Sequence, residues 1–154
     1  LNEMIIQTQS DVKSGNPVTD IVIGEYKDKC IKTGIDFTYD FHYPEKGVVD
    51  AFDMSIVLFN ALQNACEAAQ KTPHGYVSLK AFRKKNAYII EITNSCAGRI
   101  TVEPGKLPAT DKDNAQAHGY GLKNIKRIAE KYYGGINIEP ADDTFKLNIM
   151  MMLE

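Results

Sequence analysis

What this 154-residue chain lacks already narrows its role. It has no excess of either charge: 18 Lys+Arg stand against 20 Asp+Glu, a formal charge of −2. A chain so balanced has little with which to displace the counterions of DNA or RNA, which argues against a nucleic-acid partner. No apolar run approaches the roughly 18 residues of a membrane span, so no contact with a bilayer is expected of it. Cys30, Cys66 and Cys96 are odd in number and far apart, with no CxxC pair and no zinc spacing. They read as three reduced thiols in a reducing compartment. His42, His74 and His118 are scattered, so no His/Cys metal cage is expected. An initiating Met is missing as well. A chain that opens on Leu1 reads as a piece of something longer, from which a signal or anchor could have been removed, so the absence of targeting says little about the parent.

What is present is ordinary globular material. Hydrophobic residues make up 44% and charged residues 25%, and a chain of this size buries roughly 70% of its unfolded surface without staples. No repeat and no second domain is visible. Residues 1–16 are polar and end in the turn signal Ser14-Gly15-Asn16-Pro17, which marks a linker or the tail of a preceding helix. A helical pattern follows over about 18–32, with Ile21, Val22, Tyr26, Cys30 and Ile31 recurring at three- and four-residue steps and Gly34 as the stop. Ile35, Phe37, Tyr39 and Phe41 alternate with polar residues, the period of a half-buried strand. A long helix spans about 49–71, with Asp53 as its N-cap or first-turn acid. A hairpin follows the break at Thr72-Pro73-His74-Gly75, turning at Lys84-Lys85-Asn86. Residues 98–118 lose all periodicity, and a stretch that long inside a compact domain points to function. A helix over about 119–133 ends at Gly134-Gly135, and a last hairpin turns at Asp142-Asp143. Helices interleaved with hairpins predict an α+β fold: a two-layer sandwich, one mixed and mostly antiparallel sheet with helices on one face.

Three constellations could carry chemistry. In the long helix, Asn60, Asn64 and Glu67 stand four and three residues apart on one face of an apolar stretch. Buried amides need a polar destination, either neighbouring backbone or a Mg²⁺ ion with phosphates, since Mg²⁺ commonly takes only one or two protein oxygens. At a strand end, Asn94 is followed by the small residues Ser95-Cys96-Ala97-Gly98. An amide there can both accept from an amino group and donate to a ring nitrogen, although an ordinary strand-to-loop turn has the same look. Third, His118-Gly119-Tyr120-Gly121-Leu122 opens a helix, where glycines can turn backbone N–H groups toward an anion. No GK[ST] follows, so it is not a Walker A loop, and no strand immediately precedes it, so it does not fit a dinucleotide fingerprint.

The order of the three resembles the GHKL (Bergerat) ATP-binding fold, shared by histidine kinases, gyrase-type topoisomerases and MutL-type repair proteins. Asn60-Ala61-Leu62-Gln63-Asn64-Ala65 resembles its N box, Asn94 to Gly98 stands at its first glycine box, and Gly119-Tyr120-Gly121-Leu122 resembles its second. The resemblance covers roughly residues 35–152 and implies a catalytic domain over 17–154 that binds ATP and Mg²⁺. It makes Asn64 the Mg²⁺ ligand and Asn60 its neighbour near the phosphates, the two residues assigned to catalysis. Glu67, Ala68 and Lys71 would continue that wall. Asn94 stands where an Asp usually reads the adenine amino group, Gly98 and Ile100 would lie beside the base, and Thr144 resembles the threonine near adenine. Residues 99–118 correspond to the lid, and His118, Gly119, Tyr120, Gly121 and Leu122 would meet phosphate.

Two departures refine the picture. ATP-hydrolysing members carry a Glu four residues before the Mg²⁺ Asn. Here that position is Asn60, which leaves no carboxylate to activate water. In this respect the chain is similar to histidine kinases, where a protein histidine accepts the phosphoryl group. Asn94 in place of Asp, and Cys96 in place of a glycine, resemble the degenerate first glycine box of the peptide-sensing, AgrC-like histidine kinases. The implied partners are the parent's own dimerisation and phosphoacceptor domain, within a homodimer, and a response regulator. The implied location is a cytoplasmic domain of a membrane-anchored parent. Two alternatives stay open: a sigma-factor-binding serine kinase of the same fold, and a nucleotide-free interaction module.

Overall fold

A computed structural model describes residues 12–45, 48–98 and 115–153, the stretch 115–120 as backbone only. In chain order the elements are α1 (Pro17–Lys32), β1 (Asp36–Asp40), α2 (Ala51–Gln70), β2 (Tyr76–Lys84), β3 (Ala87–Ser95), α3 (Ala115–Lys131), β4 (Gly135–Ala141) and β5 (Thr144–Met152). The strands form one sheet in the order β1-β2-β3-β5-β4. β1 and β2 run parallel, and every other pairing is antiparallel. The parallel step follows from the connection: α2 is the crossover between β1 and β2, and parallel neighbours need one of that length. The predicted two-layer α+β sandwich, with a mixed and mostly antiparallel sheet, is the architecture found.

Side-chain alternation sorts the sheet into two faces. Val77, Leu79 and Ala81 of β2, Tyr88, Ile90, Ile92 and Asn94 of β3, and Leu147, Ile149 and Met151 of β5 are buried. They meet Met54, Leu58 and Leu62 of α2 and Ile125 and Ile128 of α3 in one core. Each of these large apolar side chains contributes about 1.5–3 kcal/mol by leaving water. The other face is half open and carries Lys146 between Glu91 and Glu139, both at 3.7 Å.

The helix boundaries have local causes. Asn16 caps α1 by accepting from the N–H groups of Val18 at 2.9 Å and Thr19 at 3.2 Å, with Pro17 as the first helical residue. Val12 and Ser14, upstream of that cap, are themselves buried. The buried stripe of α1 is Thr19, Ile23, Tyr26 and Cys30. Ile21 and Ile31, expected on it, are 61% and 65% exposed, because the helix turns its packed face roughly 100° per residue and neither lies in register with Tyr26. In α2 the N-cap is Asp50, which accepts from Phe52 N–H at 2.7 Å, and Asp53 is the first-turn acid. At the end of α3, Tyr133 rather than a glycine takes the left-handed conformation at φ 59°. Gly134 N–H then bonds back to Ala129 C=O at 2.9 Å. Gly134 is required for space, since a Cβ there would stand 1.8 Å from the Met150 carbonyl oxygen.

Candidate functional site

The site is built where α2 and α3 meet. α3 runs antiparallel to α2, and two contacts fix its placement. At one end, Asp53 Oδ2 accepts from Lys131 Nζ at 2.8 Å and from the Tyr132 hydroxyl at 2.6 Å, while Tyr132 Oη accepts from Asp50 N–H at 3.0 Å. Burial alone would raise the Asp53 carboxyl, but the bonds from Lys131 and Tyr132 hold it below the usual carboxylate range. Tyr132 is pushed up, first by burial and then by donating to that carboxylate.

At the other end, buried Gly121 lies against the two asparagines. A Cβ on Gly121 would stand 3.4 Å from Asn60 Oδ1 and 3.4 Å from Asn64 Nδ2. Two motifs separated by nearly 60 residues in the chain are therefore in contact. Asn60 is not loose: its Nδ2 donates to Ile56 C=O at 2.8 Å. That bond leaves Oδ1 as the atom turned toward Gly121. Both amides are half-buried, so their remaining hydrogen-bonding capacity faces the α2–α3 seam.

Beside them a relay crosses from α1. The Tyr26 hydroxyl donates to Gln63 Oε1 at 2.8 Å, and Gln63 Nε2 donates to Glu67 Oε1 at 2.6 Å. Tyr26 is fully buried, stacks edge-on with Phe59 at 5.9 Å, and is pushed well above the ordinary phenol range by burial. Glu67 is thereby oriented by Gln63 of its own helix, which Tyr26 of α1 in turn holds. Gln63, the orienting residue, was not singled out from the sequence; its position inside the Asn-rich motif was the available signal. Ala68 is half-buried and Lys71 is the exposed C-cap of α2.

The far end of α2 is pinned to the end of β3. Ser95 Oγ accepts from Tyr76 N–H at 3.0 Å and shares a hydrogen bond with Thr72 Oγ1 at 2.9 Å. Asn94 is buried on the helix-covered face, with Nδ2 donating to Ser95 C=O at 2.9 Å. About 9 Å of helix rise separates Asn64 from the last residue of α2, Gln70, beyond which Thr72 meets the end of β3 beside Asn94. Gly98 has φ +76°, and a Cβ on it would meet nothing within 4 Å, so conformation rather than crowding selects glycine there. Its N–H bonds Asp143 Oδ1 at 3.1 Å, tying the end of β3 to the β4–β5 turn. Cys96 is buried there, which raises its thiol.

The remaining predicted site residues fall into three groups. Thr144 pairs with Ser95, whereas Asn94 pairs with Phe145. Alternation thus turns Thr144 to the face opposite Asn94, where its hydroxyl meets the Tyr76 hydroxyl at 2.9 Å. Second, α3 begins at Ala115, not at Gly119. The free amides of a helix are those of its first four residues, so Gly119, Gly121 and Leu122 lie beyond them and their N–H groups fall within the helical ladder. Leu122 is 6% exposed and belongs to the core. Third, the side chains of His118 and Tyr120, Ile100, and most of the 99–118 stretch lie outside the described residues.

The donor set is compatible with Mg²⁺: amide oxygens are hard ligands, and Asn60 Oδ1 and Asn64 Oδ1 lie 3.4 and 3.6 Å from where a Cβ on Gly121 would stand. An Asn-lined helix seam is thus joined to a mixed sheet in an α+β domain, with a buried amide at the end of its central strand. Residues 49–152 match the family model of the GHKL domain, and the chain belongs to that family. No curated protein matches it by sequence. Its fold is similar to that of solved histidine kinases. The nucleotide-free catalytic domain of histidine kinase ThkA superimposes with a TM-score of 0.67 at 20% identity, over 91% of this chain and 93% of that one. The histidine kinase AdeS of Acinetobacter baumannii gives 0.65 at 14% identity, over 99% and 73%. ThkA solved in complex with the response regulator TrrA gives 0.68 at 18%, with 99% of this chain covering 46% of that one.

Proposed function

We infer that this domain is the ATP-binding catalytic domain of a sensor histidine kinase, of the AgrC-like peptide-sensing kind, with residues 17–154 as the catalytic unit. The observation that carries the reading is the contact of Gly121 with both Asn60 and Asn64. It assembles the N box and the second glycine box into one half-buried polar seam. Asn64 would hold Mg²⁺ through its amide oxygen, with Asn60 beside it at the phosphates. When bound, Mg²⁺ neutralises phosphate charge and helps align the phosphoryl group. Asn94, near the end of β3, would face the base and Gly98 would lie next to it. Glu67, held by Gln63, and Lys71 would complete the wall along α2, with Ala68 between them.

The chain's own contribution is position and polarity rather than covalent chemistry. Asn60 offers an amide where a water-activating carboxylate would otherwise stand, and its Nδ2 is already committed to Ile56 C=O. Neither group can take a proton from water at neutral pH. The reading is therefore transfer of the γ-phosphoryl group to a histidine: the P–O bond to ADP breaks as the N–P bond to imidazole forms. Of the chain's three histidines, only His118 falls in a described helix, in the first turn of α3. His42 follows β1, and His74 sits in the turn after α2. The acceptor would lie on the parent's dimerisation domain, and a response regulator would take the group onward. The ThkA complex with its response regulator is a precedent for such a partner among proteins of this fold.

The test is phosphoryl transfer in trans. This chain with Mg²⁺ and γ-labelled ATP is expected to leave itself unlabelled and to label a separately supplied dimerisation helix pair that carries the acceptor histidine. Strong labelling of the chain itself, on serine or histidine, would contradict the assignment.

A further inference from the structure

Cys30 and Cys66 are 36 residues apart in sequence, yet their Sγ atoms lie 3.2 Å apart. Read from spacing alone the three cysteines are unrelated thiols. In the fold two of them face each other across the α1–α2 seam, 0% and 4% exposed, while the third, Cys96, sits at the end of β3. The distance is shorter than van der Waals contact of two sulfurs and longer than a disulfide bond of about 2.05 Å. About one ångström of approach would close it.

We propose that Cys30 and Cys66 form a redox modification site, in which a two-electron oxidant of the peroxide class converts the facing thiols into a disulfide joining α1 to α2. The chemistry balances in two steps. The Cys30 thiolate attacks one peroxide oxygen, the O–O bond breaks, and Cys30 becomes a sulfenic acid while water leaves. Cys66 sulfur then attacks that sulfenic sulfur, the S–S bond forms, and a second water leaves. Two thiols are oxidised and one peroxide is reduced to two waters.

Position in the fold assigns the order. Either sulfur can donate across the 3.2 Å contact, so the shared hydrogen bond itself favours neither. Cys30, unlike Cys66, lies in the last turn of its helix, just before Thr33 and the left-handed Gly34. Helix ends fray, and such local opening admits a small oxidant to a thiol that is closed in the average structure. Cys66 lies two residues from Asn64 on α2, so the link would fasten the Asn-bearing turn to α1. This inference rests on the thiol geometry and stands whether or not the domain binds nucleotide.

The experiment uses the full chain and its Cys96→Ser variant, in which only the facing pair remains. Each is treated with equimolar hydrogen peroxide, denatured, alkylated and weighed intact. The expected product of the variant takes up no alkyl group, has lost two hydrogens, and yields a peptide linking Cys30 to Cys66. Thiol reductant restores two alkylatable groups. Because the link closes a long loop, the melting temperature of the oxidised chain is expected to rise by at least about 5 °C. Two thiols that stay alkylatable, oxidation that halts at sulfenic or sulfinic acid, or links only between chains would each overturn the proposal.

Discussion

Gly121 and the two asparagines beneath it set the chemistry of the site at the scale of single side chains. A Cβ at Gly121 just fits, at 3.4 Å from each amide. Alanine is therefore tolerable there, but the branched carbons of valine must displace Asn60, Asn64 or both. Gly121→Val is expected to lower Mg²⁺–nucleotide affinity at least about tenfold while Gly121→Ala changes it much less, as titration calorimetry of the two variants would show. Equal affinities would mean that the seam is not where nucleotide binds. Asp53 makes a separate prediction. Its folded pKa is depressed by Lys131 and Tyr132 against the opposing effect of burial. A depressed carboxyl contributes stability that is complete above its unfolded pKa, about 4, and is lost as pH falls through the lower folded value. Asp53→Asn should thus melt lower than the parent at pH 7, with the gap narrowing below about pH 4. A gap independent of pH would show that the carboxylate charge is not what Lys131 and Tyr132 hold.

At the scale of elements, the end of α3 shows how two adjacent residues can carry opposite demands. Tyr133 occupies a left-handed conformation that costs a non-glycine residue about 1 kcal/mol, and its side chain is 84% exposed. Gly134 has no freedom at all, with the Met150 carbonyl where its Cβ would be. Tyr133→Gly is expected to raise stability by up to about 1 kcal/mol, and Gly134→Ala to lower it by more than about 2 kcal/mol, in denaturant titrations of the two variants. The Gly134-Gly135 pair in the sequence located this helix end within a residue or two, but not which residue would turn left-handed. That depends on Met150, which comes from a strand formed later in the chain. The start of α3 was placed four residues late for a related reason: glycines read as a helix opening, and nothing in 115–118 announces that the helix has already begun. The stripe of α1 shows the limit of apolar periodicity. Ile21 and Ile31 are as hydrophobic as Ile23, and only the position of α2 decides which of them is covered.

At the scale of the whole molecule, the succession of helices and hairpins was legible, because each rests on local periodicity and local breakers. The strand order was not: β1 lies beside β2 in parallel and β5 inserts between β3 and β4. Such pairings are decided by long-range burial rather than by any residue's neighbours. Likewise the three motifs were each visible, but the contact of Gly121 with Asn60 and Asn64 needed the antiparallel packing of α3 on α2, secured at its far end by Asp53 and Tyr132. The molecule can be viewed as a sheet that fixes Asn94 and a pair of helices that fix Asn64, joined at Thr72 and Ser95. The central claim is that this frame holds a magnesium nucleotide. It is tested most directly by calorimetric titration of the chain with a non-hydrolysable ATP analogue, with and without Mg²⁺, repeated on Asn64→Ala. The account predicts binding that strengthens with Mg²⁺ and loses that strengthening in the variant while the melting temperature stays close to the parent's. Binding of equal strength with and without Mg²⁺, or unchanged in Asn64→Ala, would contradict it.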